Sequence, residues 1–134
     1  MKSATLATYL AVGIGAGFGG VCRYALTLLF VSRYGPGFPF GTFFINISGS
    51  FLIGVLAAVL QTRAVGIEPL LRIGLTAGFL GGYTTFSTFA FETLTLGGER
   101  EWRLALAYGF GSVVLGVAAC YLGVVAARLM ERPA

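Results

Sequence analysis

The sequence predicts an all-α membrane protein, a single domain of residues 1–134 with four transmembrane helices, the third of which is broken. Of its residues, 57% are hydrophobic and 10% are charged, whereas soluble domains carry roughly 25% charged residues. Apolar runs long enough to cross a bilayer alternate with short stretches that contain charges, glycine or proline. Within the third run, a cluster of glycines and hydroxyl residues disfavours a continuous helix.

The residue inventory excludes most enzyme chemistry. Histidine is absent and all five acidic residues are Glu, so a Ser-His-Asp triad, a histidine metal site or an Asp pair cannot form. Cys22 and Cys120 fall within predicted helices, which indicates small apolar side chains rather than a disulfide. The net charge of +4 is spread over loops and termini. We therefore expect no nucleic-acid partner, although a basic mouth would concentrate small anions.

The first helix is predicted over residues 5–31 and is read as a retained membrane span. Its glycines form overlapping Gly-x-x-x-Gly pairs, which predict a close contact with another helix; they are Gly13, Gly15, Gly17 and Gly19. Arg23 is the one cation that is not near an end of a predicted span. Two interpretations of Arg23 stay open. Its side chain extends to the interface, or its charge faces an aqueous vestibule or pairs with Glu92.

The second helix is predicted over residues 41–61, after a loop at 32–40 whose aromatic residues suit a membrane interface. Thr42, Asn46 and Ser50 recur every four residues and so share one face. That face is polar inside a membrane. An Asn in such a position often joins two helices by a hydrogen bond worth about 1 kcal/mol, and from the residues alone this interpretation of Asn46 stays open.

The third helix is predicted over residues 70–96, with a break in its middle. Gly81-Gly82 and Thr84-Thr85 place two permissive and two β-branched residues where hydrocarbon demands unbroken helical hydrogen bonds. Irregular backbone at that depth persists only when it is buried in protein or lines a polar cavity. A row formed by Gly74, Gly78 and Gly82 offers a surface on which one copy of this helix can pack against another.

A polar stripe runs beside two aromatic rings just beyond the expected break. Phe86 and Phe89 are three residues apart and share a helical face. The hydroxyls that interleave with them belong to Thr84, Thr85, Ser87 and Thr88, and the stripe continues to Glu92. Phenylalanines in a membrane helix are often lipid-facing or core residues, and that interpretation stays open. The density of hydroxyls nevertheless exceeds what local backbone bonding needs.

The fourth helix is predicted over residues 103–130, and Tyr108 and Ser112 share one of its faces.

The orientation of the chain in the membrane is ambiguous. With a cytoplasmic N-terminus, five loop cations lie on that side and three on the other; they are Lys2, Arg63, Arg72, Arg128 and Arg132 against Arg33, Arg100 and Arg103. So weak a positive-inside bias permits both orientations. Four helices of this length cannot enclose a pore and bury these polar residues, so we expect a homodimer, whose two copies could be oppositely oriented.

Residues 81–89, Gly-Gly-Tyr-Thr-Thr-Phe-Ser-Thr-Phe, closely resemble the signature of the bacterial fluoride channels, the Fluc or CrcB family. Residues 41–50 are similar to that family's second motif, and residues 19–24 and the Tyr108/Ser112 pair extend the resemblance over nearly the whole chain. In some members a second serine stands where this chain has Gly116.

The resemblance implies a channel that exports fluoride passively across the bacterial inner membrane and so confers fluoride resistance. It implies an antiparallel homodimer with two pores and a central Na⁺ held by the backbone carbonyls of Gly81 and Thr84. The implied fluoride pathway comprises Thr42, Asn46, Thr85, Phe86, Ser87, Phe89, Tyr108 and Ser112, with Arg23 and Glu92 as vestibule or gating candidates. The hydroxyls and the amide would replace water, and positive ring edges would line the path.

Three rival functions are weighed against the channel. A small drug-efflux transporter also forms dual-topology dimers of four helices, but it needs an acid deep in its first helix, and residues 5–22 contain none. A non-transporting assembly subunit would use the glycines and Asn46 only as packing contacts, which leaves the clustered hydroxyls unexplained. A membrane enzyme would lack a general base other than Glu92.

Overall fold

The computed structural model describes residues 5–61, 68–98 and 100–130, and every regular element in those ranges is helical. The elements, in order, are α1 (Leu6–Tyr34), α2 (Phe40–Gln61), α3 (Pro69–Ile73), a π-helical segment (Gly74–Leu80), α4 (Gly81–Tyr83), α5 (Phe86–Gly98) and α6 (Trp102–Met130). α1, α2 and α6 are each long and apolar enough to cross a membrane. The remaining elements are too short to do so singly, so the membrane-spanning third helix stays a prediction.

The first helix runs three residues past its predicted end, to Tyr34. It ends at Gly35, whose φ of 78° lies in the left-handed region that glycine adopts without a side-chain penalty. The Gly35 amide donates to the Val31 carbonyl at 2.9 Å and so satisfies one carbonyl of the last turn. The stop signal is therefore this glycine rather than the polar residues before it.

The third predicted helix is divided, but not at its glycine pair. Gly81 has α-helical dihedral angles, φ −64° and ψ −35°, whereas Thr84 is extended, with φ −80° and ψ 158°. Regular helix stops after Tyr83 and resumes at Phe86. Of the expected break at Gly81-Gly82 and Thr84-Thr85, only the Thr84-Thr85 half departs from helix. Gly82 uses its missing side chain for packing instead: a Cβ there would collide with the main chain of Ala16. The π-helical turns before α4 were not expected.

Glycines bring α1 into main-chain contact with the π-helical segment and α4. A Cβ built at Gly15 would meet the main chain of Gly74, and one at Gly19 would meet that of Phe79. This contact confirms the prediction from two of the four α1 glycines, whereas Gly13 and Gly17 have no such neighbour in the described part of the chain. It also corrects the role of the 74/78/82 row. Those glycines pack on α1 of the same chain, so they are not free to pack one copy against another.

A second glycine-mediated contact joins α2 to α6. A Cβ at Gly54 would collide with the Cys120 carbonyl, and one at Gly123 would collide with the Phe51 carbonyl. Between the two helix pairs lies a small core of Ile45, Leu80 and Tyr83, all at most 6% exposed. The interrupted backbone after Tyr83 consequently lies where the two pairs meet.

Candidate functional site

An open groove of about 570 Å³ runs along the junction of the two helix pairs. Its walls come from α2, α6 and the segment that includes the interruption. The polar side chains that line it are Asn46, Ser50, Thr76, Thr84, Thr85 and Ser112, and the rings are Phe86 and Phe89. Five of the eight residues predicted for the ion pathway therefore line one groove, together with Gly81 and Thr84.

Asn46 bonds both main-chain groups of one residue at the interruption. Its Nδ2 donates to the Thr85 carbonyl at 3.0 Å, and its Oδ1 accepts from the Thr85 amide at 2.8 Å. Thr85 is 8% exposed, so these groups have little access to water and need protein partners. The interpretation of Asn46 as a link between helices is thus partly correct, since α2 is tied to the interruption. One hydrogen of Nδ2 remains for another acceptor.

The Thr85 hydroxyl starts the helix that follows. It accepts from the Thr88 amide at 3.3 Å, which is the geometry of an N-cap at the first turn of α5. It also donates to the Thr88 hydroxyl at 3.0 Å and lies 3.4 Å from that of Ser87. Much of the hydroxyl stripe is thus occupied locally. Ser87 is exposed and does not line the groove.

Two of these hydrogen bonds, from the Thr85 amide to Asn46 and from the Thr88 amide to the Thr85 hydroxyl, leave the carbonyls of Gly81 and Thr84 without their usual helical donors. In a continuous helix the Gly81 carbonyl would accept from the Thr85 amide, which here bonds Asn46. The Thr84 carbonyl would accept from the Thr88 amide, which here bonds the Thr85 hydroxyl. Both residues line the groove, and the space next to the Gly81 Cα is open.

The two predicted rings lie at the groove and extend into a larger aromatic contact. Their centroids are 5.6 Å apart, with ring planes inclined by 50°. Phe86 is 78% exposed in the single chain. Phe89 also packs against Tyr108, with centroids 5.3 Å apart. The pair therefore differs in its environment, since Phe89 is held by the protein and Phe86 projects away from it.

Ser112 carries an uncompensated polar atom. Its Oγ is buried and has no hydrogen-bond partner among the residues that the structure describes, although a buried hydroxyl normally finds one. Ser112 lies on the α6 wall of the groove. Because a hydroxyl can rotate to donate, this atom is suited to a ligand that accepts hydrogen bonds.

Glu92, Thr42 and Tyr108 form a separate cluster. The Thr42 hydroxyl donates to Glu92 Oε1 at 2.8 Å, and the Tyr108 hydroxyl donates to Oε2 at 2.6 Å. Thr42 is 2% exposed and Tyr108 is fully buried. Neither lines the groove, so the place of Thr42 and Tyr108 in the ion pathway stays a prediction. Their hydroxyls face the carboxylate one turn beyond Phe89.

Arg23 does not pair with Glu92. Among the described residues the structure contains no such ion pair within 4.0 Å, and Glu92 is instead bonded by two neutral hydroxyls. The Glu92 carboxylate faces α2 and α6 rather than α1. An ion pair between Arg23 and Glu92 is therefore excluded, and the interface and vestibule interpretations of Arg23 remain. Glu92 and Thr42 also line a second cavity of about 220 Å³ at the 35–39 loop.

Ser50 and Thr76 line the groove but were absent from the predicted pathway. The signal for Ser50 was in the sequence, since it lies one turn beyond Asn46 on the same face of α2. Thr76 gave no comparable signal. It belongs to the π-helical segment, and the wider turn changes which side chains share a face.

Comparison with known protein families shows to which family the chain is related. Residues 10–124 match the family described as CrcB-like protein, Camphor Resistance (CrcB). The chain belongs to the CrcB family. The earlier resemblance is thereby confirmed, and the match covers most of the four helical regions.

Several curated CrcB relatives are similar over nearly their whole length. One from Trichormus variabilis is 42% identical over 129 residues, which cover 96% of this chain and 94% of the relative. One from Solibacter usitatus is 45% identical over 120 residues, which cover 90% of this chain and 98% of the relative. Both are named fluoride-specific ion channel FluC. These names describe channels rather than enzymes, and with three helices suited to spanning they support a multi-pass membrane protein.

Proposed function

We propose that this CrcB family member is a fluoride-selective channel that lets cytoplasmic fluoride leave the bacterial cell passively through the inner membrane. The relatives' names supply the identity of the ion. The observation that carries the proposal for this chain is the Ser112 hydroxyl, which is buried, has no partner among the described residues and lies on the wall of a groove shared with Asn46 and two phenylalanines. A strong hydrogen-bond acceptor is the ligand that such a donor fits.

Fluoride must exchange its water for protein donors as it enters the groove. Ser112 can donate its hydroxyl hydrogen, and Asn46 can donate the Nδ2 hydrogen that Thr85 does not use. The Thr85 and Ser87 hydroxyls are at the start of α5 and bond locally, so we assign them to holding that helix in place. Two direct donors bind weakly enough for the ion to leave again, which conduction requires.

The phenylalanine rings would form the apolar part of the path. Aromatic rings carry positive edges and negative faces, so an anion moves favourably past Phe86 and Phe89 only when it meets their edges. Phe89 is fixed by Tyr108, whose own hydroxyl is held by Glu92. The Glu92 cluster therefore positions one ring rather than supplying a donor.

A second, oppositely oriented copy would complete the path. The groove is open on one side, and Phe86, which lines it, is exposed in the single chain. Exposed apolar surface adjoining a polar groove suits burial against a partner, and the weak charge bias of the loops permits the opposite orientation. A two-fold axis would then give two equivalent grooves, and hence two pores per dimer.

The carbonyls of Gly81 and Thr84 fit the expected structural Na⁺. Both have lost their helical donors, both are oxygen ligands, and both residues line the groove. Hard cations prefer such ligands, and two copies would double two carbonyls into four. When bound, the ion would supply positive charge at the interruption. Asn46 and Thr85 keep these carbonyls available by engaging the amides that would otherwise close on them.

Fluoride efflux from liposomes tests this assignment. We expect efflux through Phe86→Ile and Asn46→Asp to fall by at least about tenfold, the change that about 1.4 kcal/mol produces. The matched control is Phe110→Ile, because Phe110 is 75% exposed on α6 and does not line the groove. Undiminished efflux in both variants would refute the site. Absent efflux from the wild-type protein would favour an assembly subunit.

A further inference from the structure

The groove continues one helical turn beyond Asn46 and Ser112. On α2 the next groove residue is Ser50, and on α6 it is Gly116. A Cβ built at Gly116 would lie 3.5 Å from Ser50 Oγ, which is ordinary van der Waals contact. The two positions are therefore neighbours on the groove wall where α2 packs on α6, and of the two only Ser50 contributes a polar side chain.

Packing fixes the distance between these positions. The Gly54–Cys120 contact is one turn further along both helices and brings their main chains together. Since the pairs Ser50–Gly116 and Gly54–Cys120 advance in the same direction on both helices, α2 and α6 run parallel at this crossing. Asn46 and Ser112 accordingly form one level of the groove, and Ser50 and Gly116 form the next.

The Ser50 hydroxyl can be released to a ligand. It donates to the Asn46 carbonyl at 2.7 Å. In an α-helix that carbonyl also accepts the Ser50 amide, so it stays satisfied when the hydroxyl rotates away. The side chain is half-buried and lies on the groove wall. Its donor is therefore available at small cost.

We propose that Ser50 is a further fluoride-binding residue, which receives the ion from Ser112 and supplies from α2 the hydroxyl that α6 lacks at Gly116. This inference rests on the proposed fluoride channel. It extends the line of donors from Asn46 and Ser112 toward Thr76, which lines the groove from the π-helical segment. The path then has donors on successive helical turns instead of a single polar level.

The test moves the hydroxyl from Ser50 on α2 to the neighbouring position 116 on α6. We expect Ser50→Ala to lower fluoride efflux by about tenfold, because the ion loses one charge-assisted hydrogen bond. Adding Gly116→Ser should restore efflux to within about threefold of wild type, since the new hydroxyl has room beside position 50. Adding Gly116→Ala, which brings volume without a donor, should restore nothing.

The outcomes separate this inference from the function on which it rests. A wild-type protein without efflux overturns both. If the wild-type protein and the Ser50→Ala variant conduct fluoride equally well, only the role of Ser50 is overturned. Lost efflux that Gly116→Ser fails to restore, or that Gly116→Ala restores equally well, shows that Ser50 acts through packing and also overturns its role.

A second variant covers the case in which Ser50→Ala fails to fold. Ser50→Cys is made in a Cys22→Ala, Cys120→Ala background and is treated with an anionic thiol reagent after reconstitution. Blocked efflux supports the placement of residue 50 in the ion path. Complete reaction with unchanged efflux, or an unreactive thiol in a conducting protein, overturns that placement.

Discussion

Replacing Asn46 with leucine tests the connection between α2 and the interruption. Leucine has a similar shape but cannot bond the amide and carbonyl of Thr85, which lie 2.8 and 3.0 Å from the Asn46 side chain. Because Thr85 is 8% exposed, both groups would be left unsatisfied in the interior. Each costs about 1–3 kcal/mol, so the expected loss is about 2–6 kcal/mol, a large part of a typical folding free energy.

Thermal unfolding followed by circular dichroism measures this loss. The Asn46→Leu protein should melt well below the wild type. Thr95→Val is the matched control, because the exposed Thr95 hydroxyl bonds the Phe91 carbonyl of its own helix, at 2.9 Å, and its removal should change the melting temperature little. Equal melting of Asn46→Leu and wild type would refute the structural role of the two bonds.

Three further substitutions test the packing and the capping of the site. Gly82→Ala should cost about 1–3 kcal/mol through overpacking against α1, whereas Gly81→Ala, whose Cβ would meet nothing, should melt like wild type. Tyr108→Phe removes a 2.6 Å donor to Glu92 and should cost about 1.5–3 kcal/mol. Thr85→Val removes the N-cap of α5 and should cost about 0.5–2 kcal/mol, whereas Thr85→Ser should not.

The same melting experiments can also contradict each of these three predictions. An equal melting temperature for the two glycine variants would show that the α1 contact is looser than described. An unchanged Tyr108→Phe protein would mean that the carboxylate finds other donors. Equal melting of the valine and serine variants at position 85 would remove the cap from the account.

Hydrophobicity and loop chemistry predicted the helical regions well. The apolar runs corresponding to α1, α2 and α6 are long, and Gly35 and the 97–103 region carry strong stop signals. The position of the interruption was harder to predict. Glycine permits an irregular backbone but equally permits close packing, and Gly82 uses the second property against α1. The residues around Gly82 cannot show which of the two properties it uses, because that depends on α1, which is distant in the sequence.

Site residues were predictable where spacing alone placed them on one face. Asn46, Phe86 and Phe89 lie together at the groove as expected. The hydrogen bond from Tyr108 to Glu92 could not be predicted, because the spacing of Tyr108 from Ser112 says nothing about a residue of another helix. The wider π-helical turns likewise moved Thr76 into the groove. The helical periodicity of a sequence cannot reveal such contacts between elements that are distant in the chain. The dimer, the Na⁺ and the inner-membrane location stay predictions.

The most direct measurement compares two halides in one preparation of wild-type protein. Liposomes loaded with equal potassium fluoride and potassium chloride are opened to potassium with valinomycin, and ion-selective electrodes follow both anions. The groove lined by Ser112, Asn46 and the two rings predicts rapid release of fluoride while chloride stays inside. Release of both anions at similar rates, or retention of both, would contradict a fluoride-selective path.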